Sequence, residues 1–165
     1  IIGPSGSGKS TIASCINGLI PFSYPGEFSG SLTVNGIDAP NSSIFTLSTV
    51  VGTVLQDPDG QFIGLTVAED IAFALENQCV EQTSMKETVK KVSSLVNIDS
   101  HLDHAPHELS GGQKQRVGLA GVMVDDVKIL LFDEPLANLD PASGKQTIEL
   151  IEEIQKKTYT TVIII

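Results

Sequence analysis

Ile1-Ile2-Gly3-Pro4-Ser5-Gly6-Ser7-Gly8-Lys9-Ser10 decides the fold: two apolar residues ending a strand, a glycine-rich loop, and a helix expected from Lys9 to Ile16. Gly3, Pro4, Ser5, Gly6, Ser7, Gly8, Lys9 and Ser10 fit the pattern GxxxxGK[ST] in the strand–loop–helix setting it requires. Glycines let the backbone curl until successive N–H groups point inward, and the helix adds its positive end, so the loop suits phosphate. Lys9 brings charge to the outer phosphates, and the Ser10 hydroxyl is a hard oxygen of the kind Mg²⁺ takes. Thr11 follows on the same helix and is counted with these residues as a nucleotide contact.

Outward from this loop, Ser31-Leu32-Thr33-Val34, Asn35-Gly36 and Ile37 read as an antiparallel hairpin, because Asn-Gly favours the turn joining twisted strands. Thr49 to Leu55 is a β-branched run ending at Gln56, and Asp57-Pro58-Asp59-Gly60 interrupts regular structure. Thr66 with Glu69, and Ser84 with Glu87, have capping-box spacing. Met85, Val89, Val92 and Val96 fall on one helix face. A helix is expected from Gln113 to about Val124 and a strand from Val127 to Phe132. Asp140 ahead of Pro141 opens a helix that ends near Lys157. With a last apolar run, Thr161 to Ile165, the alternation predicts an α/β fold with a parallel sheet and crossover helices.

Ile129-Leu130-Leu131-Phe132-Asp133-Glu134 supplies the second half of a site. A buried strand explains the four apolar residues, but not two adjacent carboxylates where the sheet meets solvent. Asp133 fits a water-mediated partner of Mg²⁺, and Glu134 a group that orients or activates an attacking water. Leu109-Ser110-Gly111-Gly112-Gln113 presents further backbone N–H groups at a helix start, a second anion site. Within one chain it has no phosphate of its own, since Lys9 already has one.

Composition limits what such a site serves. The 165 residues are 41% hydrophobic and 18% charged, which suits one compact domain. Ten Lys plus Arg stand against twenty Asp plus Glu, a net charge of −10, and there is no Trp, so no nucleic-acid partner is expected. Cys15 and Cys79 have no CxxC or nearby His spacing and read as reduced core thiols. The chain opens without Met and ends on a β-branched run too short to span a membrane, which reads as a sequence clipped at both ends.

Together, Gly3–Ser10, Leu109–Gln113 continued by Lys114-Gln115-Arg116-Val117, and Ile129–Glu134 resemble the ATP-binding cassette family. The resemblance implies a phosphate-loop (RecA-like) core, a small antiparallel β region near residues 22–48 and an inserted helical subdomain. Residues 1–165 would form a single, incomplete nucleotide-binding domain, with its core at 1–60 and 126–165 and the helical part at about 61–125. ATP and Mg²⁺ are the implied cofactors. A second cassette, identical, different or fused, is the implied partner, each signature closing over ATP held by the other's phosphate loop. Ser110, Gly111, Gly112, Gln113 and Asp140 would then act in trans. Asp140 lies within Ala137-Asn138-Leu139-Asp140, which matches the loop that crosses the dimer interface. Gln56 occupies the family's glutamine position, implying contact with Mg²⁺ and the attacking water. Catalytic roles thus fall to Glu134, Lys9 and Gln56, and metal contacts to Ser10, Gln56 and Asp133. The family's switch histidine is expected past Ile165 and its adenine-stacking aromatic before Ile1. His101, His104 and His107 precede the signature and read as surface polar residues.

Gln56-Asp57-Pro58-Asp59-Gly60-Gln61-Phe62, Thr66 to Phe73 and Glu76-Asn77 resemble the energy-coupling factor ATPases, which power uptake of vitamins and of nickel or cobalt. That implies an ATPase driving import through separate membrane-spanning subunits, held peripherally at the cytoplasmic face of the cell membrane. A conventional importer or exporter cassette is the nearest alternative. The acidic balance and the lack of a long coiled-coil insertion argue against a soluble, non-transport cassette, and Leu109–Gln113 against a small-molecule kinase.

Overall fold

The computed structural model describes residues 1–54, 60, 62–136 and 140–165. Helix α1 (Lys9–Ile16) rises from the glycine-rich loop and is followed by a short turn of helix, α2 (Leu19–Phe22). Strands β1 (Thr33–Val34) and β2 (Ile37–Asp38) pair antiparallel, with Val34 opposite Ile37. Asn35 and Gly36 between them take φ of 47° and 82°, as this hairpin turn requires. A five-residue helix, α3 (Ile44–Ser48), is an addition to the expected elements. It starts where the Ser43 hydroxyl accepts from Thr46 N–H at 3.1 Å.

Strand β3 (Val51–Val54) follows, and α4 (Val67–Asn77) begins on the expected Thr66–Glu69 capping box. Helix α5 (Gln82–Leu95) corrects the second capping expectation, because Ser84 lies inside the helix. Glu81 is the cap instead: its carboxylate accepts from the Ser84 N–H and the Thr83 hydroxyl, each at 3.0 Å. Backbone hydrogen bonding from Thr83 and then Ser84 holds the Glu81 carboxyl below the usual glutamate value. Helix α6 (Gly111–Met123) starts two residues before the expected Gln113. Strand β4 (Ile129–Phe132), α7 (Pro141–Thr158) and β5 (Thr161–Ile164) complete the order.

The parallel sheet runs β3-β4-β5, with Val51 beside Ile129 and Ile129 beside Thr161. Side chains alternate across it. Leu130 and Phe132 join Val54 in a buried cluster with Ile71 of α4, Val92 of α5, Val117 of α6 and Ile154 of α7. Leu131 and Val51 point the other way, into a second cluster with Ala13 of α1, Val34 of β1 and Leu47 of α3. A parallel sheet covered on both faces accounts for the uninterrupted apolar run of β4. At Gly52 of β3, an added Cβ would stand only 2.0 Å from a Val122 methyl of α6, so glycine permits that helix to lie against the sheet.

Two further expectations are corrected. Ile1 and Ile2 lie outside any strand: the Ile1 backbone nitrogen donates to the Ile164 carbonyl, and Ile2 is fully exposed. A single hydrogen bond makes no ladder. Cys15 is half-buried and Cys79 exposed, so they are not core thiols. Cys79 follows the C-cap of α4 in left-handed backbone (φ 56°), a helix-ending turn rather than an apolar face. Among the described residues no helix is long and apolar enough to cross a membrane.

Candidate functional site

The glycine-rich loop ends at Gly8, whose φ of 91° is strained for any residue with a Cβ. Gly8 caps α1 without a side-chain acceptor, so the amides of the first turn have no such partner and remain available to an anion. Lys9 reaches back across the loop, its Nζ donating to the carbonyls of Gly3 and Pro4 at 3.0 Å each. The turn is closed by Ser7 N–H donating to Pro4 O at 3.2 Å. An ammonium is thus held within the curl of the loop. Ser5, Gly6, Ser10 and Thr11 are exposed along the same stretch.

The two halves read from the sequence meet here. Ser10 Oγ donates to Asp133 Oδ1 at 3.4 Å, across 123 positions of chain. Asp133 is set by the sheet: its N–H donates to Val54 O at 3.3 Å, while Glu134 N–H donates to Ile165 O at 3.0 Å. Backbone bonding therefore continues past β4 toward both neighbours and places the two acids at the C-terminal edge of the sheet. Glu134 takes φ of 48°, a conformation costing a non-glycine residue about 1–3 kcal/mol and concentrated at functional sites. It is exposed, and Asp133 is half-buried.

The Ser10 hydroxyl and Asp133 carboxylate form a pair of hard oxygens beside the phosphate loop. That set suits Mg²⁺, which takes one or two protein oxygens and completes its shell with water and phosphate. Among the described residues no group of three or more His, Cys, Asp or Glu could hold a metal without such help. Gln56, expected to share in metal binding and catalysis, and Ala137-Asn138-Leu139 lie outside the described residues.

Ser110 caps α6, with Gln113 N–H donating to its Oγ at 3.4 Å and Ser110 N–H donating to Gln113 Oε1 at 2.7 Å. This turn borders a cavity of about 440 Å³ whose lining includes Ser110, Gly111, Gly112, Gln113, Arg116 and Asp140. Asp140 caps α7, its Oδ1 accepting from Ala142 N–H at 3.0 Å and Ser143 N–H at 3.2 Å. The Ser143 hydroxyl, and then its backbone N–H, hold the Asp140 carboxyl below the usual aspartate value. Ser110–Gln113 and Asp140 therefore share one cavity. Lys9, Ser10 and Asp133 gather elsewhere, around the phosphate loop.

Sequence reasoning missed two links. Gln115 donates through Nε2 to Pro135 O at 2.9 Å and accepts at Oε1 from the Thr147 hydroxyl at 3.4 Å, tying α6 to the acid pair and to α7. His101, read as a surface residue, is half-buried and 2.9 Å from Gln113 Nε2, whereas His104 and His107 are exposed as expected. Neither link has a local sequence signal, because each joins residues a dozen or more positions apart.

A family model described as ABC transporter matches residues 1–137. A protein of Clostridium perfringens (strain 13 / Type A) described as an ABC transporter ATP-binding protein is 67% identical over 165 residues, covering 100% of this chain and 29% of the relative. One of Enterococcus faecalis with the same description is 63% identical, again over 100% of this chain and 29% of the relative. The chain thus spans 29% of the length of these relatives. Among solved structures, CbiO1 of Clostridium perfringens, part of the ABC transporter complex CbiONQ, matches with a TM-score of 0.89 and 34% identity. That match covers 99% of this chain and 64% of CbiO1. The expected phosphate-loop α/β fold of such ATPases, with its small antiparallel pair, is the one observed. Matched by the family model over residues 1–137 and by these relatives along its whole length, the chain belongs to the ABC transporter family.

Proposed function

We propose that the chain binds ATP with Mg²⁺ and hydrolyses it to ADP and phosphate as the ATP-binding part of a transporter. The meeting of Ser10 with Asp133 beside the Lys9 loop carries this reading, because it joins a phosphate cradle to an acid pair. Amides of Gly6, Ser7, Gly8 and the α1 start bind the phosphates, with Gly3, Pro4, Ser5 and Thr11 completing the nucleotide contacts. Lys9 neutralises charge on the outer phosphates. Ser10 and Gln56, with Asp133 through a water, would hold Mg²⁺, whose charge would offset that of the phosphate oxygens. The Glu134 carboxylate accepts the proton of the attacking water as its oxygen bonds to the γ-phosphorus and the bond to the leaving ADP oxygen breaks.

Ser110, Gly111, Gly112, Gln113 and Asp140 act in trans, on ATP held by a second cassette. Their common cavity, apart from the Lys9 loop, supports that division of labour. Residues 1–60 and 126–165 are assigned to the nucleotide-binding core and about 61–125 to the inserted helical subdomain. The finer reading is an energy-coupling factor importer for a vitamin or transition-metal ion, seated on membrane-spanning subunits at the cytoplasmic face. The Gln56–Asn77 resemblance and the likeness to CbiO1, itself part of a transporter complex, support it. Glu134→Gln in the full-length protein tests the chemistry: ATP binding should persist while turnover drops by about 10²–10⁴-fold. Unchanged hydrolysis moves the catalytic role to another residue.

A further inference from the structure

The cap of α6 is held from outside its own helix by a residue that none of these roles uses. Gln113 Oε1 accepts from Ser110 N–H at 2.7 Å, which commits the amide oxygen and turns its Nε2 donor toward His101, 2.9 Å from the ring Nε2. Two donors cannot share that contact, so His101 Nε2 accepts and the ring proton sits on Nδ1, 2.9 Å from the Ser100 hydroxyl. The His104 ring packs edge-on at 5.1 Å between centroids and steadies the plane of the imidazole. The segment carrying both rings is anchored to α4, because the carbonyls of Leu102 and His104 accept from Ala68 and Val67 N–H at 2.9 Å each.

We propose that His101 is a positioning residue for the Ser110–Gly112 turn: its Nε2 lone pair holds the Gln113 amide in the one orientation that closes the cap, and ties that cap to the start of α4. The inference rests on the reading that this turn closes over ATP of a second cassette. Without the acceptor, Gln113 regains rotamer freedom and the cap opens part of the time, so ordering the turn must be repeated in each cycle of closure. With it, the turn is ordered before ATP arrives.

The test uses the full-length protein with ¹⁵N-labelled histidine and two variants. His101 should show the Nδ1–H tautomer, the reverse of the Nε2–H form that a free histidine side chain favours. His101→Phe keeps a ring of similar size but removes the acceptor, and kcat should fall about five-fold, the weight of one hydrogen bond. Mg-ATP affinity of the Lys9 loop, measured by calorimetry, should stay at the parent value. His101→Gln returns an acceptor and should recover most of the lost turnover. An Nε2–H tautomer at residue 101 overturns the positioning role, as does turnover in His101→Phe equal to that of the parent or of His101→Gln. A parent that shows the Nδ1–H tautomer yet hydrolyses no ATP upholds the contact and overturns the proposed function instead.

Discussion

Replacing Gly52 by alanine tests how closely α6 lies on the sheet. The new Cβ would stand 2.0 Å from Val122 Cγ1, 3.1 Å from Val127 Cγ2 and 3.5 Å from Leu130 Cδ2. Carbon atoms settle near 3.5–4.0 Å, so Val122 must retreat by about 1.5–2 Å. Valine on a helix has one strongly preferred χ1, so rotation offers little relief and the helix itself must shift. That movement loosens the cluster around Val117 and Ala120, both fully buried. Overpacking of this kind destabilises by about 1–3 kcal/mol, while losing the unfolded-state freedom of glycine returns about 0.4–1 kcal/mol. The expected net loss is about 1–2 kcal/mol. Val122→Ala removes the clashing methyl, so the double variant should be more stable than the single effects predict, by about 1–2 kcal/mol of coupling. Native-state hydrogen exchange of the β3 and β4 amides in all four proteins measures the cycle. Additive effects, or a Gly52→Ala protein as stable as its parent, refute the close-approach argument.

Lys9→Ala should weaken Mg-ATP binding by about ten- to a hundred-fold through loss of charged contacts, with the circular dichroism spectrum unchanged; near-parent affinity by calorimetry removes Lys9 from the site. Asp140 has its folded-state pKa depressed by Ser143, so its support of α7 is complete above the unfolded aspartate value of about 3.9 and is lost as pH falls through the lower folded value. Asp140→Asn keeps an acceptor for the cap but should abolish that acid dependence of α7 amide exchange; an unchanged acid limb assigns it to another group. Cysteines placed at Ile63, Leu65 and Phe73, which are 65%, 82% and 40% exposed, should crosslink to a membrane-spanning subunit. Products found only with ribosomes or DNA would favour a soluble, non-transport cassette.

Much of the molecule was legible without coordinates, because its signals are short-range. The Gly3–Ser10 loop, the Thr66–Glu69 box, the Asn35-Gly36 turn and the Asp140-Pro141 helix start each close their hydrogen bonds within a few residues, so neighbouring side chains dictate them. The apolar run of β4 likewise announced a strand buried on both faces. Local reading failed where two nearby caps compete: Glu81 takes the Ser84 N–H that the Ser84–Glu87 spacing had claimed for Glu87, starting α5 earlier. It failed again at Ile1-Ile2, where strand formation depends on a neighbour's ladder, and at Cys79, which lies past the end of a helix rather than on its face. The juxtaposition of Ser10 and Asp133 was implied before the structure gave its distance, but two relations belong to the tertiary structure alone: His101 against Gln113, and Gly52 beneath Val122. Each depends on how far a helix stands from a sheet or a loop from a helix. That spacing is set by side-chain volumes drawn from the whole core, and no residue carries it in its own sequence neighbourhood.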